Sequence, residues 1–250
     1  LVNRDLYEKR LDLMLTGRTL FGAMPPKGQE LEDQYFGRLR NIISEFMHDL
    51  DTELWKLGIT AKTKHNEVAP AQHELAIIFD PASMAADHNL LVMEMMKRIA
   101  KRHGLTALLH EKPFAGVNGS GKHINWSMAT NDGINLLEPG YKPIENEQFL
   151  IFLAAVIKAV DEYAEILRLS VASAGNDHRL GANEAPPAII SMFVGKELQD
   201  IIDSIISGNT YVDNGRVKTN LGINSLPVIT EDATDRNRTS PFAFTGNKFE

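Results

Sequence analysis

Two short stretches of this chain carry residue types that could do chemistry together. In residues 114–127, Phe-Ala-Gly-Val-Asn-Gly-Ser-Gly-Lys-His-Ile-Asn-Trp-Ser, a turn-forming Asn-Gly-Ser-Gly runs into an alternation of polar and apolar residues. Side chains of a strand point to opposite faces in turn, so a strand over 122–130 puts His123, Asn125 and Ser127 on one face. Lys122, Ile124, Trp126 and Met128 take the other. Asn118 and Gly119 present an amide side chain and a bare backbone N–H just ahead of that comb. Together these groups suit a metal and a phosphorylated or carboxylated ligand better than a packed core. Taken singly, Asn118-Gly119 also suits a tight hairpin turn, and His123 a hydrogen-bonded core or turn histidine.

Residues 64–75 read Lys-His-Asn-Glu-Val-Ala-Pro-Ala-Gln-His-Glu-Leu. On one straight strand the odd separation of Glu67 and Glu74 would place them on opposite faces. Pro70 disfavours an uninterrupted central strand. A turn at Pro70 instead puts the glutamates on neighbouring strands, where they can converge. Converging carboxylates repel unless a cation lies between them, and hard divalent ions such as Mg²⁺ prefer such oxygen ligands. A plain hairpin with two solvated glutamates fits the same pattern.

Three further groups lie downstream. Arg179 and Glu184 occupy a loop of small residues, 174–187, where a guanidinium could grip a carboxylate in bidentate fashion. Arg236 and Arg238, in Asp-Arg-Asn-Arg-Thr-Ser, suit phosphate recognition or a solvated turn. Glu250 follows an apolar–polar alternation that could project it into the same cleft. Neither a P-loop nor a dinucleotide-binding glycine fingerprint occurs.

The elements that must position these groups follow from periodicity. Residues 16–29, with three glycines and two prolines, read as a loop. Helical spacing runs over 31–57, stopped by Gly58. Two strands broken at Pro70 fill 59–80. Asp80-Pro81 reads as a helix start, with the helix ending near Gly104. Short strands are expected at 105–110 and 188–194, and a loop over 131–144. A helix over 146–169 is apolar around nearly its whole circumference from 149 to 160, which predicts a central buried helix. A helix over 196–206 closes at Gly208. Strands alternating with long helices fit α+β or α/β.

The whole chain sets bounds. Its 250 residues are 43% hydrophobic and 24% charged, ordinary for a globular protein. A net charge of -7 argues against a nucleic-acid surface. With no cysteine there is no disulfide or thiolate metal site, and the reducing cytosol is the natural expectation. The longest apolar run, 149–157, is too short to span a bilayer. A start at Leu1 and an end in mid-alternation at Glu250 read as an interior piece of a longer protein.

Five of these segments fall in one order: 16–22 (Thr-Gly-Arg-Thr-Leu-Phe-Gly), 64–75, 114–127, 179–186 and 235–250. In that order they resemble the catalytic domain of glutamine synthetase, most closely the long bacterial type III form. Asn-Gly-Ser-Gly-x-His together with Glu-Val-x-Pro-Ala-Gln-x-Glu is the specific part. The resemblance implies an α+β fold with a curved, mainly antiparallel sheet and flanking helices. Residues 1–250 would be one catalytic domain truncated at both ends.

The implied chemistry is phosphorylation of the γ-carboxylate of L-glutamate by ATP, then displacement of phosphate by ammonia to give glutamine. Glu67 and Glu74 would ligate one divalent ion, Mg²⁺ or Mn²⁺, and His123 and Glu250 a second. Asn118, Gly119 and Arg179 would bind glutamate, and Asn125 and Ser127 the nucleotide. Arg238 would contact the nucleotide and stabilise phosphoryl charge. Glu184 would close the site and deprotonate ammonium. The resemblance also implies a large ring-shaped homo-oligomer, and no nucleic-acid or membrane partner is expected. Asn125 stands where many relatives carry histidine, and the spacing from Arg179 to Glu184 is one residue shorter than in the commoner classes. The family's Glu-x-Glu strand would precede Leu1, so these residues alone would be inactive. Two rival readings are another carboxylate–amine ligase of the superfamily and a catalytically silent structural relative.

Overall fold

A computed structural model describes residues 1–24, 26–121, 124–178, 190–212, 218–219, 229–230 and 242–245. Contacts divide the chain into two units, Leu1–Gly121 with Ala174–Asn183, and Lys122–Ser173 with Glu184–Glu250.

The first unit opens with β1 (Val2–Asn3), α1 (Arg4–Tyr7) and α2 (Leu11–Thr16). A 3-10 turn at Glu30–Glu32 leads into α3 (Asp33–Phe36) and then α4 (Asn41–Lys56). β2 (Ala61–Asn66) and β3 (His73–Ile77) form an antiparallel hairpin, followed by α5 (Ala82–Arg102) and β4 (Leu105–Thr106), which pairs with β1. The core lies where α4 and α5 pack against the hairpin. Ile43, Phe46, Met47, Leu50 and Leu54 recur at helical spacing along α4 and meet Val92, Ile99 and Ala100 of α5 and Leu75 of β3. Lys64 on β2 pairs with the buried Asp51 of α4 and ties the hairpin to the helix.

The second unit contains α6 (Glu147–Glu162) and α7 (Ala164–Val171); α8 (Ala174–Asp177) returns to the first unit. β5 (Met192–Phe193) and α9 (Lys196–Ser207) follow. The chain continues through β6 (Lys218–Thr219), β7 (Ile229–Thr230) and β8 (Phe242–Ala243). β6 pairs antiparallel with β7, whereas β5 and β8 run parallel. Phe149 and Leu153 of α6 pack on Leu198 and Ile201 of α9, with Phe244 against Phe149. The described residues therefore make a mixed α and β structure built on small two-stranded sheets.

Several expectations need correction. Residues 31–57 are not one helix. Leu31 and Glu32 adopt positive φ, and Gly37 is extended, so α3 and α4 are separate. The helix over 146–169 breaks at Tyr163. Its burial is one-sided: Phe149, Leu153 and Val160 are inside, while Ile151 and Leu169 are exposed. Pro81, not Asp80, holds the N-cap of α5, and Asp80 instead bonds His88 at 3.1 Å. The strand expected over 122–130 is not formed by residues 124–128. Ala129 alone bridges, to Asn135, because among the described residues 124–128 meet no partner ladder. The strand expected at 105–110 shrinks to its first two residues.

Candidate active site

The hairpin turn brings the two carboxylates of residues 64–75 together. β2 and β3 pair with His65 opposite Glu74 and Asn66 opposite His73, and Glu67 lies just past the strand end. Glu67 N–H donates to Gln72 O at 3.0 Å and Gln72 N–H to Ala69 O at 3.1 Å. Ala71 takes φ 59 to close the turn. His65, Glu67 and Glu74, all half-buried, then offer ligand atoms that lie within 4.8 Å of one another. His65 Nε2 contacts Glu67 Oε1 at 3.0 Å.

The electrostatics of this cluster are those of a site waiting for positive charge. Burial, and then the neighbouring Glu74 carboxylate, push the Glu67 carboxyl up to about 7, only partly offset by His65. His73 on β3 is half-buried, and the loss of solvent lowers its imidazole to about 4. It stays neutral, with Nδ1 at 2.9 Å from Asn66 Oδ1. Two carboxylates and an imidazole at this spacing can hold a divalent ion of the Mg²⁺ or Mn²⁺ type.

The Asn118–Gly119 loop lies beside the turn. Gln72 Nε2 donates to Gly119 O at 2.9 Å and to Ser120 Oγ at 2.7 Å. Ser120 N–H donates to Glu111 O at 2.7 Å. A Cβ at Gly119 would sit well inside contact distance of the Glu111 carbonyl oxygen, so only glycine fits. Asn118 is buried and exchanges two hydrogen bonds with the side chain of Gln29. A recess of about 90 Å³, lined in part by Gln72, His73, His110, Asn118 and Ser120, opens under the loop. It has room for a few waters, not for a nucleotide.

Of the residues expected to form the site, Glu67, Glu74, Asn118 and Gly119 belong to this one unit. Asn125 and Ser127 are exposed in the other unit, where Ser127 Oγ donates to Asn135 Oδ1 at 2.6 Å. His123, Arg179, Glu184, Arg238 and Glu250 lie outside the described residues. Four participants escaped the sequence reading: His65, Gln29, Gln34 and Gln72. His65 was legible in principle, since it shares a β2 face with the residue two positions on, Glu67. Gln29 and Gln34 carry no short-range signal, because their partners on the turn and the loop are tens of residues away, and neither do the bonds of Gln72 to Gly119 and Ser120, although its Oε1 also accepts from Ala69 N–H within the turn.

Comparison with known proteins adds the family. Residues 19–191 match the family described as "Glutamine synthetase, catalytic domain". Over its whole length the chain is 63% identical to the glutamine synthetase of Butyrivibrio fibrisolvens and covers 36% of that protein. It is 55% identical to the type-3 glutamine synthetase of Dictyostelium discoideum, covering 34% of it. Against the glutamine synthetase of Bacteroides fragilis (strain YCH46) it is 53% identical and covers 35%. The chain thus spans about a third of the length of these relatives. With a carboxylate pair, a glycine-only loop and this match across most of its residues, the chain belongs to the glutamine synthetase catalytic-domain family.

Proposed function

We propose that the full-length protein joins ammonia to the γ-carboxylate of L-glutamate at the expense of ATP, as a glutamate–ammonia ligase. The observation that carries this reading is the convergence of Glu67 and Glu74 beside the Asn118–Gly119 loop, in a chain of this family. The residues fit a divalent ion, because Glu67 ionises with difficulty at neutral pH unless a positive charge is added. Glu67 and Glu74 would hold that ion, with His65 orienting the Glu67 carboxylate or supplying a third ligand atom. His123 and Glu250 would hold a second. Bound Mg²⁺ or Mn²⁺ supplies counter-charge for the triphosphate.

The chain's own residues do the rest. Asn118 and the backbone of Gly119 hold glutamate, with Arg179 on a carboxylate. Asn125 and Ser127 contact the nucleotide. A γ-carboxylate oxygen attacks the terminal phosphorus, the bond to ADP breaks, and Arg238 neutralises charge on the moving phosphoryl group. Glu184 accepts a proton from ammonium. Ammonia nitrogen then attacks the acyl carbon and phosphate leaves. A closed lid around Glu184 keeps water from the acyl phosphate.

The finer architecture follows the same reading: a curved, mainly antiparallel sheet and a ring-shaped homo-oligomer. The protein would work in the cytosol without nucleic-acid or membrane partners. No helix among the described residues is long and apolar enough to cross a membrane. The deciding experiment supplies full-length protein with glutamate, ammonium, ATP and Mg²⁺. Glutamine and phosphate should appear one for one. ATP turnover with an alkylamine but not ammonium would reassign it as a different carboxylate–amine ligase. Absence of Mg²⁺-dependent ATP binding would make it a silent relative.

A further inference from the structure

Residues 29–34, Gln-Glu-Leu-Glu-Asp-Gln, reach both halves of the candidate site. At one end, Gln29 Oε1 accepts from the Asn118 backbone N–H at 2.7 Å, and Gln29 Nε2 donates to Asn118 Oδ1 at 3.0 Å. At the other, Gln34 Nε2 faces three carbonyls of the carboxylate turn: Ala69 at 2.6 Å, Gln72 at 3.0 Å and Glu67 at 3.2 Å. Its Oε1 accepts from Ala71 N–H at 3.1 Å. One amide thus contacts four backbone groups of the turn, its two N–H protons shared among three carbonyls and its oxygen accepting the fourth group's N–H. No other side chain would do so without both a donor and an acceptor at that reach.

Between the two anchors the backbone is strained. Leu31 (φ 55) and Glu32 (φ 54) are consecutive L-residues in the left-handed region. That conformation is unfavourable for any residue with a Cβ, because the Cβ crowds the following carbonyl oxygen. Packing of Leu31 does not explain it, since that side chain is 95% exposed. The strained pair lies between two anchored ends, Gln29 and Gln34.

We propose that Gln29 and Gln34 are positioning residues: a strained bracket that sets the carboxylate turn and the Asn118–Gly119 loop at a fixed separation. Gln72, bonded from the turn to Gly119 and Ser120, is the complementary strut. Gln34 acts on the cation through the carbonyl of Glu67 and the closure of the turn. Gln29 acts on the amino-acid substrate through Asn118. This assignment rests on the ligase reading for the identity of the substrate, but not for the cation.

The test uses full-length protein carrying Gln34→Met or Gln29→Met, which keep side-chain length and remove the hydrogen bonds. Mn²⁺ binding is read from loss of the free-ion EPR signal, without turnover. Gln34→Met should weaken Mn²⁺ at least tenfold, and Gln29→Met less than threefold. Gln29→Met should raise the glutamate KM at least tenfold, with kcat falling less than threefold. Leu31→Gly, which keeps every anchor and releases strain, serves if a methionine variant does not fold: it should melt no lower than the parent yet raise the glutamate KM several-fold. Mn²⁺ affinity and glutamate KM within twofold of the parent in the folded variants would overturn the bracket. An inactive wild type would sink the ligase reading alone, because the Mn²⁺ arm still tests Gln34.

Discussion

The carboxylate turn and residues 124–135 are held in opposite ways. The turn is braced from far along the chain: Gln34 is more than thirty residues away and Gly119 nearly fifty. Residues 124–135 are held locally, by Ser127 to Asn135 and by Thr130 N–H to Ile134 O at 3.0 Å, with Ile124 and Trp126 exposed. Preorganisation therefore concentrates where like charges must be forced together. Bracing from distant segments is what keeps two carboxylates close against their repulsion. The contact that Ser127 and Asn125 would make with a nucleotide demands no such force, and little is invested in holding them.

The sharpest way to break this contrast is Gly119→Ala. The added methyl meets the Glu111 carbonyl, so the loop must move. A destabilisation of about 1–3 kcal/mol and loss of most ligase activity are expected, read by urea melts and glutamine formation. Glu67→Gln comes next and should show opposite signs with and without cation. Removing the forced charge should raise apoprotein stability at pH 8 by about 1 kcal/mol, after discounting for solvent screening at a half-buried site. The same change should weaken Mn²⁺ more than tenfold. Equal melting with and without Mn²⁺ would refute it.

The pH profile sharpens the comparison further. Glu67 is raised to about 7 from an ordinary 4.5, so the folded state binds a proton more tightly than the unfolded chain. That contribution is full below about 4.5 and is lost as pH rises through 7. His73 is lowered to about 4 from 6.5, so its contribution is full above 6.5 and is lost as pH falls toward 4. The two slopes oppose each other between about 4.5 and 6.5, and apoprotein stability should be nearly flat there. His73→Gln should uncover a fall in stability of about 1 kcal/mol as pH rises from 4.5 to 7. Mn²⁺ affinity should rise with pH to just above 7, with proton release on binding. Smallest of all, Ser127→Ala should change melting by less than about 0.5 kcal/mol, as exposed sites do. A larger loss would show that residues 124–135 are braced after all.

How much of this was written in the sequence depends on range. Hairpin β2–β3 was legible because Pro70 breaks an alternation that resumes at His73, and α5 because Gly104 ends a long helical period. The helix expected over 31–57 is broken: its apolar spacing is helical, but Leu31 and Glu32 take positive φ between the anchored Gln29 and Gln34, which periodicity does not register. The comb of 122–130 alternates like a strand, yet alternation needs a neighbouring strand to become a ladder, and among the described residues the pairing stops at the Ala129–Asn135 bridge and the bond from Leu136 N–H to Met128 O. Glu67 and Glu74 could be paired from the proline between them. The bracing glutamines could not, since a lone amide in a polar stretch looks like any solvated residue.

The tight approach of Gly119 to the Glu111 carbonyl also has an evolutionary consequence. Position 119 has no neutral neighbours in sequence space: a single-base change that adds any side chain lands on a backbone atom rather than on a yielding rotamer. In a mutational library it should stay invariant under selection for activity, while Leu31, strained but open to water, should accept glycine under selection for folding alone and resist it under selection for glutamate use.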